Sequence, residues 1–428
     1  EIGTVPVANG TAVVNLVVPN TVPSGSQQLT LRAEPSNTAV TIPVEVPAAI
    51  VPLSPQRILD TRPGAPTVDG KFAGIGLRQA GQTLELEVTG RGGVPADATS
   101  VVLNLTATDA TGTGYVTVWA CGTPRPIASS LNFVAGVPKP NAVATGIGTG
   151  GKVCIYTAEA DVQLIADVNG LLPADGGYAA VVPARLLETR VGAPTSDGVA
   201  QGEGPRAAGS TYALQVSGRG NVPANAAAVA LNVTTTDSSG TGYITVWDCA
   251  EPRPLASNVN FVAGVPSPNT VLTKVGAAGK VCFYVAEAST ELIVDVLGYL
   301  EPGAAFGALT PARLLETRAG APTVDGVAQG AGALAPGTTL ALQVAGRGGV
   351  PATAHGAVLN VTATDAPGTG FVTVWPCGEP MPTASNVNFA SGVPSPNAAI
   401  VKIAADGKVC FQTGQSAAQL IVDVTAYL

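Results

Sequence analysis

Ala357-Val-Leu-Asn-Val-Thr-Ala-Thr364, then Gly368-Thr-Gly370, then Phe371-Val-Thr-Val-Trp375, is the stretch that decides the fold. Ala357, Leu359, Val361 and Ala363 are apolar, and Asn360, Thr362 and Thr364 alternate with them. That period of two belongs to a strand, because successive side chains leave a pleated chain on opposite sides. The Gly-Thr-Gly that follows is a turn, and the Val, Thr, Phe and Trp beyond it favour a second strand. The same train stands at Val101–Thr108 with Gly112–Gly114 and Tyr115–Trp119, and at Val229–Thr236 with Gly240–Gly242 and Tyr243–Trp247.

The register is strict. Arg57, Arg185 and Arg313 are 128 residues apart, as are Trp119, Trp247 and Trp375. Three such units fill 384 of the 428 residues and leave 44. A repeated unit of this kind is read as a domain array, here with boundaries 49–176, 177–304 and 305–428 after a segment 1–48. Each unit offers seven to eight short strands and no amphipathic helix. The expected fold is all-β: tandem antiparallel β-sandwich repeats, Ig-like or jelly-roll-like, with barrel closure as the alternative. The junctions Leu172–Val182 and Leu300–Pro311 carry Pro, Gly and an aromatic in register, Tyr178 and Phe306. Read as semi-rigid spacers, they predict an elongated array.

Charged residues are only 12% of the chain and apolar ones 46%, so it has the means to bury a core. A net charge of −8 and a pI near 4.8 argue against nucleic acid as a partner. No apolar run is long enough to predict a membrane-spanning helix. The chain begins at Glu1 and its single Met381 is internal, which reads as a processed product or a piece of something longer.

Six cysteines fall as one pair per unit, with no CxxC. Two thiols and almost no histidine cannot supply four zinc ligands. The economical pairing is within units, Cys121–Cys154, Cys249–Cys282 and Cys377–Cys410, and such disulfides point to an extracellular or cell-surface location.

Eight charged positions recur in every unit; in the first they are Arg57, Asp60, Arg62, Asp69, Arg91, Asp109, Lys152 and Asp167. Four are positive and four negative, a balance that suggests pairing more than catalysis. Paired carboxylates are the raw material of glycoside hydrolysis, but nothing in their spacing defines a cleft, and no enzyme activity, cofactor or metal is expected. Asp109, Asp237 and Asp365 precede the Gly-Thr-Gly turns, where an aspartate side chain caps turn backbone. His355 occurs in the third unit alone and reads as a surface residue. Gly146–Gly151 leads into a strand and is therefore a turn, not a phosphate cradle.

Tyr115 and Trp119, Tyr243 and Trp247, and Phe371 and Trp375 share one strand face each, so they form either three stacking platforms for sugar rings or parts of the core beside the disulfides. Core packing is the favoured reading. Sequons stand at Asn9, Asn104, Asn232 and Asn360; alternation with apolar neighbours predicts that the last three face outward as possible N-glycosylation sites. Lys152, Lys280 and Lys408, near repeating Asn141 and Asp167, raise a lesser possibility of a Lys–Asn isopeptide bond.

The train Pro183–Arg190, Gly346–Pro351, Asn260–Pro266, Gly279–Cys282 and Val294–Tyr299 resembles the tandem repeats of secreted and wall-attached actinobacterial-type multidomain proteins. The leading segment, with Asn9-Gly-Thr11 and Val40–Val46, resembles the C-terminal half of a bacterial immunoglobulin-like domain, its other half upstream or supplied by a neighbour. The resemblance implies architecture and location and transfers no catalytic residue. The expected function is that of a non-enzymatic extracellular structural or adhesive protein: a spacer, a stalk, or the subunit of a surface layer or filament. Its partners would be other copies of itself or neighbouring surface proteins. The alternative is a trivalent carbohydrate-binding array.

Overall fold

The computed structural model describes residues 25–33, 36, 38–46, 51–172, 177–276, 278–302 and 307–428. Of the leading segment it shows a hairpin, β1 (Gly25–Ala33) antiparallel to β2 (Thr38–Val46). The strand expected at Thr11–Val18, the sequon at Asn9 and the junction residue Phe306 lie outside the described residues.

Copy one has eight strands: β3 (Val51–Asp60), β4 (Thr83–Glu87), β5 (Ser100–Thr108), β6 (Gly114–Ala120), β7 (Leu131–Phe133), β8 (Lys139–Gly146), β9 (Lys152–Ala158) and β10 (Gln163–Leu171). They form two antiparallel sheets in the orders β3-β10-β5-β8 and β4-β9-β6-β7. First-eighth-third-sixth over second-seventh-fourth-fifth is the jelly-roll order, in which two Greek keys fold over one core. Residues 178–300 and 307–427 repeat it. The sheets enclose aliphatic side chains such as Leu103, Leu105, Val116, Val118 and Ile155, with Phe133 fully buried among them. Gly114 opens β6 because Phe133 lies across it: a Cβ there would meet the Ala158 carbonyl oxygen at 2.3 Å and the ring at 2.7 Å. Gly242 under Phe261 and Gly370 under Phe389 repeat the arrangement, which accounts for the last glycine of each turn. Disulfides join Cys121–Cys154, Cys249–Cys282 and Cys377–Cys410, each with Cα atoms 5.0 Å apart.

The copies do not extend into a rod. They close into a three-lobed ring of six sheets, in which copy one meets copy two, copy two meets copy three, and copy three returns to copy one. The reason lies in the second face of the inner sheet. In the quoted strand, Ala357, Leu359, Val361 and Ala363 fill the third copy's own core, while Asn360 and Thr362 are buried as well. Their cover is the neighbouring copy. Asn360 donates to the Ser257 carbonyl at 2.6 Å, Asn232 to the Ser129 carbonyl at 2.6 Å, and Asn104 to the Ser385 carbonyl at 2.5 Å. The sequon asparagines Asn104, Asn232 and Asn360 therefore do not face solvent; at 0%, 0% and 4% exposure they leave no room for a glycan in the closed ring.

A pseudo-threefold axis runs among β8 and its equivalents, Ser267–Lys274 and Ser395–Lys402. These are edge strands, whose free backbone groups would otherwise be a liability. Asparagines of the adjoining copies satisfy them: Ala142 N donates to Asn397 Oδ1 at 2.8 Å, Thr270 N to Asn141 Oδ1 at 2.9 Å, and Ala398 N to Asn269 Oδ1 at 3.1 Å. Asn141, Asn269 and Asn397 in turn donate to Asn232, Asn360 and Asn104. One apolar seam drawn from all three copies, including Val102, Ala230, Val358, Ile400, Leu300 and Leu428, completes the closure. Tyr178 belongs to this seam at 4% exposure and opens the strand Tyr178–Glu188, so the described part of the first junction from Tyr178 onward is strand and not a spacer.

Candidate functional site

The recurring charges meet where copies meet. In copy two, Arg185 Nε lies 2.9 Å from Asp295 Oδ1 and its Nη1 lies 3.0 Å from Glu188 Oε2. Glu188 also holds Arg190 through two donors at 2.9 Å. Asp295 Oδ2 accepts Arg185 Nη2 at 3.3 Å and also the Ser129 backbone N–H of copy one at 3.2 Å. Copy three repeats the set with Arg313, Glu316, Arg318 and Asp423, the last accepting Ser257 N at 3.0 Å. Copy one repeats it with Arg57, Asp60, Arg62 and Asp167, the last facing Ser385 of copy three. Burial pushes the Asp167 and Asp423 carboxyls above the usual range, against the pull of Arg57 and Arg313. Desolvation at an interface explains that shift.

A cleft of about 340 Å³ opens over this network between copies two and three. Tyr243, Leu255 and Glu287 line it from copy two, and Arg313, Arg318 and Asp365 from copy three. Arg318, 39% exposed, sits between Glu316 beneath it and the charges of Asp365 and Glu287. Asp365 takes a left-handed backbone, φ 51°, as do Asp237 at 48° and Asp109 at 50°. Aspartate tolerates that conformation better than most residues, which accounts for its recurrence before the Gly-Thr-Gly turn. The equivalent positions at the other junctions are Tyr115, Ile127, Glu159, Arg190 and Asp237, and Phe371, Thr383, Gln415, Arg62 and Asp109.

The aromatic pairs are divided between two places. Tyr243 lines the cleft, with Tyr115 and Phe371 at the matching positions. Trp119, Trp247 and Trp375 are 5–6% exposed, but they do not join the sandwich core. Val116 and Val118 take the core side of β6, and Trp119 packs on the opposite face with Cys121, Cys154 and Tyr156. The 121–128 loop covers it: Trp119 Nε1 donates to the Thr123 carbonyl at 3.0 Å, and the Arg125 guanidinium lies 3.7 Å over the Tyr156 ring. The expected burial beside the disulfide is found, but for Trp119 it lies in a small cluster on the face of β6 away from the sandwich core, and all three tryptophans are covered.

Two further recurring charges, Arg91 and Asp69, pair with each other. Arg91 is buried and gives two hydrogen bonds to Asp69, at 2.6 and 2.8 Å, and others to the Glu87 and Ile58 carbonyls. Lys152 Nζ meets Glu85 at 2.9 Å and Lys408 meets Asp406 at 2.9 Å. Lys280 is exposed, and Asn141 is engaged with Ser130 and Asn232, so the isopeptide pairing is not formed. Among the described residues no cluster of three metal-ligating side chains occurs and no helix is long and apolar enough to cross a membrane.

Sequence reasoning missed Lys139. It has no counterpart in the other copies, where Ser267 and Ser395 stand in register, and it is buried at 3% exposure.

The fold and the junctions together define a closed ring of three disulfide-stapled jelly rolls with a cleft between copies two and three. Neither a family model nor a curated protein matches the sequence. Among solved structures the chain is similar, at 8% identity, to one titled as the triple jelly roll fold and turret assembly in an archaeal virus; 94% of this chain and 89% of that one are covered, with a TM-score of 0.20. A second, titled as the atomic structure of Sulfolobus Turreted Icosahedral Virus, also shares 8% identity over 95% and 90% with a TM-score of 0.20. So low an overlap transfers neither function nor partners.

Proposed function

We propose that the protein is a non-enzymatic extracellular module of structural or adhesive use, a rigid hub presenting three related lobes. One observation carries this reading: the repeated acids and arginines are spent on one another within each copy, and one carboxylate per copy reaches across to a neighbour's backbone. Asp295, for example, has both oxygens engaged, by Arg185 and by a backbone N–H of copy one. Three intradomain disulfides suit an oxidising compartment outside the cytosol. The test is a panel of glycan and peptide substrates run beside sedimentation from micromolar to hundred-micromolar protein. Turnover abolished by Asp365→Asn sinks the reading; self-association without turnover supports the structural form of it.

A second reading, binding of surface glycans, is favoured by Tyr243, which lines one cleft together with Arg318, Asp365 and Glu287. An aromatic face flanked by polar groups suits a sugar ring, and three weak sites on one rigid body would gain by avidity. Glycan-array binding lost in Tyr243→Ala with an unchanged melting curve would establish it.

A further inference from the structure

Lys139 carries a positive charge into the centre of the ring without a counter-charge. Its Nζ has three N–H donors and makes one hydrogen bond, to Ser267 Oγ at 3.2 Å; among the described residues no carboxylate lies within ion-pair distance. Lys139 and Ser267 occupy equivalent places in successive copies. Equivalent residues can touch only beside the pseudo-threefold axis, so the third, Ser395, closes the same layer. Ser395 is 1% exposed and its hydroxyl has no partner. Ser267, by contrast, donates its proton to the Asn260 carbonyl at 2.8 Å. The layer therefore holds unused donors, two ammonium N–H groups and one hydroxyl, and one net positive charge shut away from water. A buried charge without a partner is costly, and buried donors are seldom left unmet. Burial alone pulls the Lys139 ammonium down to about 8, the same shortfall seen from the side of protonation.

We propose that this axial layer binds one small monovalent anion of the halide class, chloride under ordinary conditions, held by Lys139 Nζ and the Ser395 hydroxyl. A single spherical anion matches a single ammonium and accepts hydrogen bonds from any direction, whereas a polyvalent oxyanion would leave net negative charge and unmet acceptors in the same buried layer. A serine–lysine nucleophile is the competing use of these groups. It fails here because Ser267 is 1% exposed and its proton is committed to a carbonyl. The proposal is independent of the function proposed above.

The test is thermal unfolding of the full chain at neutral pH in sodium chloride against sodium gluconate of equal ionic strength, with bromide-grown crystals read by anomalous scattering. Wild type should melt about 2 °C higher for each tenfold rise in chloride above saturation, because the ion binds only the folded ring. Lys139→Ser, which places in copy one the residue that copies two and three already carry, should fold and lose the chloride dependence. Ser395→Ala should weaken it, and bromide should give an anomalous peak between residues 139 and 395. Equal melting of wild type in the two salts overturns the proposal, as does an undiminished chloride response in Lys139→Ser or an axis without a bromide peak.

Discussion

Two of the ring's junctions are reinforced by the covalent chain, and the third, between copies three and one, is held by contacts alone. Asn397 is its key residue. Its Nδ2 donates to Asn104 Oδ1 at 2.6 Å and also to the Asn386 carbonyl, and its Oδ1 accepts Ala142 N at 2.8 Å, all at 1% exposure. Asn397→Ala removes one side chain and strands three buried groups. Each buried group left unpaired costs about 1–3 kcal/mol, and partial relaxation brings the sum to about 3–5 kcal/mol. Urea unfolding with a matched set, Asn141→Ala, Asn269→Ala and Asn397→Ala, measures this, and small-angle scattering reads the shape. A compact ring of this length has a radius of gyration of about 22–25 Å, whereas three such units end to end have about 33 Å. The wild type should give the smaller value, and Asn397→Ala should move furthest toward the larger one below its unfolding transition. A stability within about 1 kcal/mol of wild type would refute the claim that these asparagines close the ring. A wild-type radius near 33 Å would refute the ring itself.

Three further outcomes follow from the same geometry. Cys249→Ser with Cys282→Ser frees a 33-residue span and should lower the stability of copy two by about 3.5–4 kcal/mol in urea. Trp247→Ala empties a pocket in which the indole is 5% exposed and bonded to the Glu251 carbonyl, and it should cost about 3–5 kcal/mol; a fully stable variant would show that the outer cluster does not support the fold. Hydrogen bonding to Arg91, Arg219 and Arg347 holds Asp69, Asp197 and Asp325 down at about 2. Their stabilisation is complete above the ordinary carboxylate value near 4 and is lost as pH falls toward 2. Each carboxylate is about one-third exposed, so screening leaves about 1 kcal/mol apiece. Acid titration of Asp197→Asn should show a correspondingly shallower loss across that window.

The strands and the disulfides were legible because alternation and register are local properties. Gln28–Ala33, Ala39–Val46 and Ala357–Thr364 fall inside observed strands. The ring was not, and Asn360 shows why. Alternation states only that Asn360 and Leu359 lie on opposite faces; whether the second face meets water or another copy depends on chain closure, which no local period records. A signal was nevertheless present. Ser100–Thr108 carries no charge on either face and includes Val102 on the side given to solvent, and Gln163–Leu171 carries only Asp167. A sheet face facing water normally holds Lys or Glu. The cleft is partly legible: Arg318 and Asp365 are recurring charges in the sequence, but their meeting with Tyr243 of another copy requires the ring. Trp119 was correctly paired with Cys121, yet parity could not say which face of β6 is the core, a matter decided by the three-dimensional position of the second sheet.

Fusing three copies into one chain permits what a trimer of identical subunits cannot have, a single residue type on one copy at the axis. Identical copies bearing lysine at position 139 would crowd three ammoniums into one buried layer, whereas this chain has Lys139, Ser267 and Ser395. Two ammoniums about 4–5 Å apart repel by about 4 kcal/mol at an effective dielectric of 20, before the desolvation of the second is counted. Ser395→Lys should therefore be at least about 4 kcal/mol less stable in urea than Ser395→Met, which adds comparable bulk without charge. In gluconate the deficit should be greatest, and it should shrink as pH rises past 8, where the first lysine gives up its proton. Equal stability of Ser395→Lys and Ser395→Met at neutral pH would mean that position 395 does not share the layer with Lys139, and the placement of the axis would have to be redrawn.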